Sequence, residues 1–300
     1  MYYFGLMLSL SAIYMLAGTG AAICLKAGRI NLAGEGLIYL GGFLCAILLD
    51  AFAKAGIHAF FAVSFAFIIS AAAGALVLIF CETLFIFKHA NFLLTTFITS
   101  SAIIPLIDGL VSGPFRTKSG NLLATPYIAA QYRFASILKP SPLNCSIFVA
   151  IILCVATGLF FKKTRFGKMT EIYGISPQFS HYSGFPCGVI TFTAAGASGA
   201  LHALAGAIAV CGTYFTCHTG FYSGMGWNAL SVAMLAKTRS VPLIPFSIFM
   251  AALMTYSSRF ALYSNLDFDV NSLIQAVILF MISIPFVRPS LQSIKGGKNA

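Results

Sequence analysis

The sequence predicts an all-α protein, a polytopic membrane helical bundle with about nine spans, and two observations support this fold class. Hydrophobic residues make up 59% of the 300 residues and charged residues 8%, with a mean hydropathy of +0.92. A typical globular protein is about 25% charged, so a soluble fold could not hide this much apolar surface. The apolar residues also form separate runs, most of them near the roughly 20 residues that cross a bilayer. This composition argues against a soluble enzyme, a nucleic-acid binder or a secreted disulfide scaffold.

Nine apolar runs are the predicted spans. The seventh run holds only 11 residues and would cover about half of the hydrocarbon core. It is predicted either as a half-helix buried inside the bundle or as a segment that continues with its neighbours. The eighth run is also short and has Pro242 and Pro245 at its start. The nine runs are 4–24, 33–49, 58–80, 92–111, 144–161, 186–210, 226–236, 241–256 and 270–287.

The basic residues predict an N-terminus outside and a C-terminus in the cytoplasm. Nine crossings place the termini on opposite sides, and Lys and Arg are enriched in cytoplasmic loops. The longest loop, 112–143, is then extracytoplasmic, and the segment 162–185 is cytoplasmic. The same bias accounts for the net charge of +11 without a nucleic-acid partner. The 12 basic residues predicted inside are Lys26, Arg29, Lys88, Lys162, Lys163, Arg165, Lys168, Lys237, Arg239, Arg288, Lys295 and Lys298; the six outside are Lys54, Arg116, Lys118, Arg133, Lys139 and Arg259.

The eight cysteines show no pattern of a metal or redox site. No C-x-x-C pair occurs, and no His/Cys spacing suits zinc. Most of the cysteines fall inside apolar runs, where Cys behaves as a small hydrophobe. We therefore expect structural packing and no metal site.

Two glycine-punctuated stretches resemble each other. The first is N-L-A-G-E-G-L-I-Y-L-G-G at 31–42, and the second is F-Y-S-G-M-G-W-N-A-L-S-V at 221–232. Each holds a G-x-G and leads into an apolar run. The span order places the first at the inner start of span two and the second at the outer start of span seven, pointing oppositely. This arrangement predicts an inverted internal repeat with short or broken helices, a common plan of transporters.

Glu35 is the one acid near the start of a span that also sits in a glycine-rich break. An ionisable group at membrane depth costs several kcal/mol unless it is paired or wet, which makes Glu35 a functional candidate. The alternative is that Glu35 lies at the water interface, where it pairs with Lys26 or Arg29 or caps the backbone. Asn31 could hydrogen-bond a solute or cap span two.

The run G-A-S-G at 196–199, followed by His202, is similar to the Gly-x-Ser-Gly of intramembrane serine proteases. Such an enzyme needs a serine nucleophile activated by a histidine within hydrogen-bonding reach. His202 lies four residues after Ser198 on the same helix, whereas in that family the base comes from another span. The surrounding run of small residues is explained more simply as a face for tight helix packing.

The chain has no nucleotide-binding motif of its own. No G-x-x-x-x-G-K-[ST] occurs, so ATP-driven transport would need another subunit. A self-powered carrier would be expected to bury several acids in mid-span. Here Asp50, Glu82 and Asp108 lie near span ends, and Asp267 and Asp269 lie in a loop. This distribution argues against a self-powered carrier or channel, which stays the alternative.

The segment 162–185 predicts two short amphipathic helices with a tight corner. Phe166, Met169, Ile172 and Tyr173 share one helical face, and Gly174 is predicted to end that helix. Ser176 and Pro177 are then the N-cap and first residue of a second helix. Phe179 and Tyr182 share its face, and Gly184 ends it. From the residues alone, the pair could lie on lipid headgroups or dock into a groove on a partner protein.

The same segment resembles the cytoplasmic coupling loop of permease subunits in bacterial ABC importers for simple sugars, nucleosides, riboflavin and branched-chain amino acids. That loop reads roughly T-x-x-G, then G-x-N-P-x-A-A-x-x-x-G-I; Ser176 replaces its Asn, and Phe179-Ser180 replaces its Ala pair. The motifs A-G-R-I-N-L-A-G-E-G at 27–36, S-G-A-L-H-A-L-A-G at 198–206 and G-F-Y-S-G-M-G-W-N-A-L-S-V-A at 220–233 also resemble family motifs. The positions on the loop pattern are Thr164, Gly167, Gly174, Pro177, Gly184 and Phe185.

The resemblance implies one permease domain over 1–300 in the bacterial inner membrane, without catalytic residues or cofactor. ATP and Mg²⁺ would bind to partner ATPase subunits, and a second permease subunit, the same chain or a different one, would complete the pathway. An extracytoplasmic substrate-binding protein would deliver a nucleoside-like or riboflavin-like solute, or a simple sugar, through an acidic surface that faces Arg116, Lys118, Arg133 and Lys139. The implied ATPase-coupling residues are Thr164, Arg165, Gly167, Gly174, Pro177, Phe179 and Gly184; the implied pathway residues are Asn31, Gly34, Glu35, Gly36, Phe221, Gly224, Gly226 and Asn228.

Overall fold

The computed structural model describes residues 2–117, 122–137, 141–263 and 272–281. Within these residues the fold is all-helical, and β-structure is limited to two isolated bridges. This confirms the predicted all-α class. The 11 α-helices of the described residues are α1 (Tyr2–Lys26), α2 (Gly34–Lys54), α3 (Ala59–Lys88), α4 (Phe92–Ser112), α5 (Ser146–Lys163), α6 (Arg165–Ile175), α7 (Pro177–Tyr182), α8 (Cys187–Ala209), α9 (Met225–Leu235), α10 (Ser240–Tyr263) and α11 (Ser272–Met281).

Every predicted apolar run contains a helix, but the count of nine complete spans is not confirmed. Seven helices of the described residues are long and apolar enough to cross a membrane. Of the other two, α9 has 11 residues and α11 is described over Ser272–Met281, so the chain is a multi-pass membrane protein in which α9 is a partial-length helix. The predicted short eighth run is wrong, because α10 has 24 residues. Pro242 lies in the first turn, where a missing backbone N–H costs little, whereas Pro245 lies inside the helix.

The helices form a buried centre and a lipid-facing rim. Nearly all of α1 after its first turns is buried, as is the second half of α8. In contrast, α3, α4 and α5 bury only scattered residues and expose large apolar side chains that suit hydrocarbon. Examples of these exposed side chains are Phe60, Ile68, Leu76, Phe87, Ile98 and Ile152.

Small residues on α8 permit close packing against its neighbours. A Cβ atom added to Gly199 would overlap the carbonyl of Gly74 on α3, and the reverse substitution would overlap the carbonyl of Gly199. In the same way, a Cβ on Gly206 would overlap the carbonyl of Ile38 on α2. The small-residue face predicted for 194–207 is therefore confirmed as a packing surface.

The bundle has two distinguishable ends. At the loop end, the segment 122–137 pairs with the chain after α8: Thr125 N–H donates to the Cys217 carbonyl at 2.9 Å, and Ile128 N–H donates to the Phe215 carbonyl at 2.9 Å. Ser9 near the start of α1 donates to the Pro142 carbonyl at 2.9 Å. At the opposite α6 end lie α6, α7 and the linker 27–33. Lys118 and Lys139, two of the residues predicted to face the substrate-binding protein, fall outside the described residues.

Candidate functional site

The two glycine stretches meet inside the bundle. A Cβ on Gly34, the first residue of α2, would lie 3.2 Å from the Cα of Gly226 in the first turn of α9. The prediction that the two stretches begin near opposite surfaces is therefore wrong. The physical reason is that α9 is only 11 residues long and follows an irregular segment, 215–224, that enters the bundle. Irregular backbone at membrane depth is tolerated where protein or a cavity surrounds it.

The meeting point lies at mid-height. Asn228 Nδ2 donates to the hydroxyl of Tyr14 at 3.2 Å, and Tyr14 is the middle residue of α1. A Cβ on Gly34 would also lie 3.2 Å from the ring of His202, near the middle of the helical stretch from Cys187 to Tyr214. From this point α2 runs to the loop end and α9 runs towards the α6 end.

Glu35 lines a cavity at the start of α9. Its carboxylate accepts hydrogen bonds from the side chain of Trp227 and the backbone N–H of Gly224. The alternative that Glu35 pairs with Lys26 or Arg29 is wrong. Each of these cations forms an ion pair with another acid: Lys26 pairs with Glu171, and Arg29 pairs with Glu82.

The cavity beside Glu35 has a volume of about 580 Å³, and its lining includes Tyr222, Ser223, Trp227 and Gln275. A second cavity of about 350 Å³ shares Ser223 and Gln275 with the first and reaches towards the start of α1. The two cavities together form a polar and aromatic recess around the start of α9. A drug-sized or metabolite-sized solute typically needs 300–1,000 Å³, roughly.

Two buried polar atoms on the second cavity have unused hydrogen-bonding capacity. Asn228 is 2% exposed and Thr255 is 5% exposed. In the described part of the chain, Asn228 Oδ1 and Thr255 Oγ1 have no hydrogen-bond partner. Buried polar groups are normally satisfied, so these atoms mark a surface that water or a solute would complete.

An aromatic cluster lies behind the recess. The ring of Tyr39 lies 5.5 Å from that of Phe221 and 5.0 Å from that of Tyr222. The Tyr39 hydroxyl donates to Asp108 at 2.6 Å. His218 also contacts Phe221, and burial lowers the pKa of His218, which favours a neutral ring near pH 7. Phe221 is 2% exposed and thus supports the cavity wall rather than lining the open space.

The other predicted pathway residues divide into two groups. Gly34, Gly224, Gly226 and Asn228 gather at the recess with Glu35, whereas Asn31 and Gly36 face neighbouring helices. Asn31 donates to the Ser198 hydroxyl at 3.2 Å, and Gly36 N–H donates to the Ser100 hydroxyl at 3.0 Å. Sequence reasoning missed Trp227, Tyr222 and Gln275. Gln275 had a detectable signal, because it is a polar amide within the apolar run 270–287.

The segment 162–185 forms the two predicted helices. The Thr164 hydroxyl caps α6 by accepting the Gly167 N–H at 3.0 Å, and Ser176 caps α7 by accepting the Phe179 N–H at 3.4 Å. Pro177 is the first residue of α7. Gly184 follows α7 with a φ of +72°, which glycine adopts without strain.

Gly174 has a different role from the predicted helix stop. The helix α6 continues through Gly174 to Ile175. A Cβ on Gly174 would overlap the carbonyl of Lys26, so this glycine permits α6 to pack against the end of α1. A close approach of two backbones, rather than a turn, therefore explains the glycine.

The apolar side chains of the α6–α7 corner point away from the protein. Ile175 is 86% exposed, Phe179 57% and Tyr182 90%. On the opposite side of α6, Tyr173 is buried. The segment thus presents one face to the bundle and leaves an apolar face available for lipid or a partner.

The arrangement of Ser198 and His202 does not form a nucleophile and base. His202 Nδ1 lies 2.8 Å from the backbone oxygen of Ser198, and the Ser198 hydroxyl accepts from Asn31. Both residues are buried. Their contacts hold α8 against the linker 27–33, which removes the geometric basis of the protease alternative.

Comparisons with known proteins agree with the membrane architecture. Residues 3–283 match the family described as branched-chain amino acid transport system / permease component. The probable riboflavin import permease protein of Treponema pallidum (strain Nichols) is 31% identical over 281 residues, which cover 93% of this chain and 74% of the relative.

Two further relatives are ABC transporter permeases. The glucose ABC transporter permease protein of Haloferax volcanii is 24% identical over 292 residues, covering 91% of this chain and 74% of the relative. The guanosine ABC transporter permease protein of Bacillus subtilis (strain 168) is 22% identical over 287 residues, covering 94% and 81%. No solved structure matches the chain significantly. The chain therefore belongs to the branched-chain amino acid transport system / permease component family and is a transmembrane permease subunit of an ABC importer.

Proposed function

We propose that the recess around Glu35 is part of the translocation pathway for a polar, ring-bearing solute. The observation that supports this most strongly is the meeting of two helix starts, α2 and α9, at mid-height beside a cavity. Transporters commonly bind solutes where broken helices of an inverted repeat meet. The opposite directions of α2 and α9 from this point fit such a repeat.

The chemistry of the recess fits a nucleoside-like or riboflavin-like solute best. Trp227 and Tyr222 offer aromatic faces, while Glu35, Asn228 and Gln275 offer hydrogen-bonding groups. Flat rings stack on aromatic faces, and hydroxyls bond to carboxylates and amides. The riboflavin and guanosine permeases among the relatives carry ring-bearing solutes by their names. A simple sugar, as named for the glucose relative, is the next candidate.

A transport assay would test the pathway and the solute together. Proteoliposomes with the assembled importer would take up radiolabelled riboflavin, guanosine or glucose in separate reactions. We expect Glu35→Gln and Trp227→Ala to reduce uptake of a ring-bearing solute. Phe87→Ala on the lipid-facing side of α3 is the matched control for loss of an aromatic ring. Uptake that survives both recess variants unchanged would contradict the proposed pathway.

The α6–α7 corner is proposed as the docking element for separate ATPase subunits. Its exposed apolar face, formed by Ile175, Phe179 and Tyr182, is suited to dock into a groove on a partner protein. The resemblance of this segment to a coupling loop points to an ATPase subunit as that partner. In this assembly α7 would lie in an ATPase cleft, and ATP-driven closure would change the access of the recess. The carried-over positions Arg165, Gly167 and Gly184 belong to the same segment.

Co-purification from the native membrane tests this docking. Phe179→Asp and Tyr182→Asp place charges on exposed positions, so the fold should tolerate them. Tyr127→Asp is a matched control, because Tyr127 is 63% exposed at the opposite end. We expect an ATPase to co-purify with the wild type and the control but not with the α7 variants. Absence of any ATPase with the wild type would favour the self-powered carrier instead.

The proposed orientation places the loop end outside and the α6 end in the cytoplasm of a bacterial inner-membrane protein. The basic residues support it, since Lys162, Lys163, Arg165 and Lys168 gather at the α6 end. A substrate-binding protein would then dock at the loop end, where Arg116 and Arg133 are exposed. Labelling of intact cells with an impermeant thiol reagent tests the orientation: native Cys145, exposed beside the start of α5, should react, and an engineered Ser183→Cys should not.

A further inference from the structure

The linker 27–33 connects the coupling segment to the recess by direct contacts. On the α6 side, Lys26 pairs with Glu171. The backbones approach so closely that a Cβ on Gly28 would lie 3.0 Å from the carbonyl oxygen of Gly174. Gly28 also has a φ of +70°, so the chain turns sharply against α6 here. Any displacement of α6 must therefore displace the start of the linker.

The far end of the linker is fixed to α8 and leads directly into the recess. Asn31 Nδ2 donates to the Ser198 hydroxyl at 3.2 Å, and Asn31 Oδ1 accepts the Ala33 N–H at 2.8 Å. Three residues later, Gly34 contacts Gly226, and Glu35 faces the cavity. The linker thus has contacts at both ends, as a transmitting element requires.

Arg29, in the middle of the linker, has two partners on different helices. Its Nη2 lies 3.5 Å from the hydroxyl of Tyr173 on α6 and 3.5 Å from Oε1 of Glu82 on α3. The guanidinium lies 4.0 Å from the centre of the Phe85 ring. Glu82 is fully buried, so this ion pair is sheltered from water and from salt.

The Arg29–Glu82 pair leaves capacity for a second contact. Among the described residues, Arg29 Nε and Glu82 Oε2 are buried without hydrogen-bond partners. Guanidinium and carboxylate groups frequently form two parallel hydrogen bonds, which are stronger than one. A second hydrogen bond, from Arg29 Nε to Glu82 Oε2, would use both unpartnered atoms and close the pair on α3.

We propose that Arg29 is a positioning residue that couples α6 to the recess by exchanging its contact with Tyr173 for a second contact with Glu82. This proposal rests on the proposed function, since the ATPases supply the movement of α6. In one arrangement the linker follows α6. In the other it is held on α3, and Gly34 and Glu35 shift relative to Gly226.

The decisive variant neutralises both members of the pair. Arg29→Gln alone leaves the buried Glu82 charge uncompensated and can prevent folding. Arg29→Gln/Glu82→Gln removes both charges and keeps polar groups of similar size. A pair with a purely structural role would tolerate this double change, whereas a transmitting pair would not. The matched control is Lys54→Gln/Asp50→Asn, which neutralises an exposed ion pair at the loop end.

The measurement follows the recess while the ATPases turn over. A reporter cysteine at Ser223, which lines both cavities, is placed in a Cys145→Ser background. The full importer in proteoliposomes is labelled by an impermeant maleimide, before and after trapping with ATP and vanadate. ATP hydrolysis is measured on the same samples. This readout needs no knowledge of the solute.

We expect trapping to change the labelling rate in the wild-type and control samples. In the Arg29→Gln/Glu82→Gln variant we expect ATPase binding and hydrolysis to remain. The change in labelling rate on trapping should be about tenfold smaller than in the wild type, which lies within the range of a typical coupling energy. A double variant that hydrolyses ATP and shows the wild-type change in labelling rate would overturn the proposal for Arg29 and leave the proposed function intact. A wild-type chain that binds no ATPase would overturn the proposed function, and this inference with it.

Discussion

Two glutamates lie within the bundle in opposite surroundings. Glu82 on α3 is fully buried, and the guanidinium of Arg29 lies 3.5 Å away. Glu35 at the start of α2 is half-buried, accepts hydrogen bonds from neutral donors and faces a cavity of about 580 Å³. The charge of Glu82 is compensated by a buried cation, whereas Glu35 lies on a cavity, where a solute can reach its acceptor atoms. Partners, rather than depth alone, therefore distinguish the two acids.

The largest expected effect on stability comes from removal of Glu82, the acid that is paired with a buried cation. Glu82→Ala leaves the charge of Arg29 buried without its partner, and breaking such a pair costs about 3–5 kcal/mol. We expect a clear fall in thermal stability in detergent and a low yield of folded protein. Phe80→Ala is the control, because Phe80 is on the same helix but is 59% exposed to lipid. Wild-type stability of Glu82→Ala would show that Arg29 does not depend on this partner.

Glu35→Gln should produce the opposite result. The amide keeps the size of the side chain and can still accept from Trp227, so we expect thermal stability close to that of the wild type. Hydrogen bonds to a charged group contribute about 1.5–3 kcal/mol, which corresponds to a loss of uptake of roughly 10–100-fold. Solute uptake and melting temperature, measured on the same preparations, check both parts. A Glu35→Gln variant that loses stability but keeps its uptake per folded molecule would give Glu35 the structural role that we expect for Glu82.

The helical architecture was predictable because the membrane leaves few alternatives. Lipid offers no hydrogen-bond partners, so an apolar run must satisfy its backbone within a helix. All nine apolar runs accordingly contain helices. The cap at Ser176 was predictable for a similar reason, since capping depends on local sequence.

The site was only partly predictable, because its geometry depends on contacts between distant segments. The residues Gly34 and Gly226 were singled out from their motifs. Their contact could not be predicted, because it depends on the depth at which α9 begins inside the bundle. The pairing of Arg29 with Glu82 joins residues 53 positions apart, which no local pattern specifies. Gly174 likewise has the sequence signature of a helix stop but serves a backbone contact with the end of α1.

A smaller effect is expected when the donor to Glu35 is removed without loss of the aromatic ring. Trp227→Phe eliminates the indole N–H that donates to the carboxylate but keeps a ring on the cavity wall. One hydrogen bond to a charged group lost in a partly solvated site suggests a decrease in uptake of about three- to tenfold. Trp227→Ala should reduce uptake further, because the stacking face is also lost. Equal uptake by the Phe and Ala variants would indicate that the ring contributes nothing.

The smallest effect is expected at a third carboxylate, Asp50, whose partner lies in water. Lys54 donates to Asp50 at 2.6 Å, but its side chain is 74% exposed, so solvent and salt screen the pair. Exposed pairs contribute about 0–1 kcal/mol, and Lys54→Gln should therefore change thermal stability by less than about 0.5 kcal/mol. Melting in low and high salt is the check: wild type and variant should converge as salt rises. A destabilisation as large as that of Glu82→Ala would mean that an ion pair in this chain is not weakened by contact with water, and the distinction between the buried and exposed carboxylates would fail.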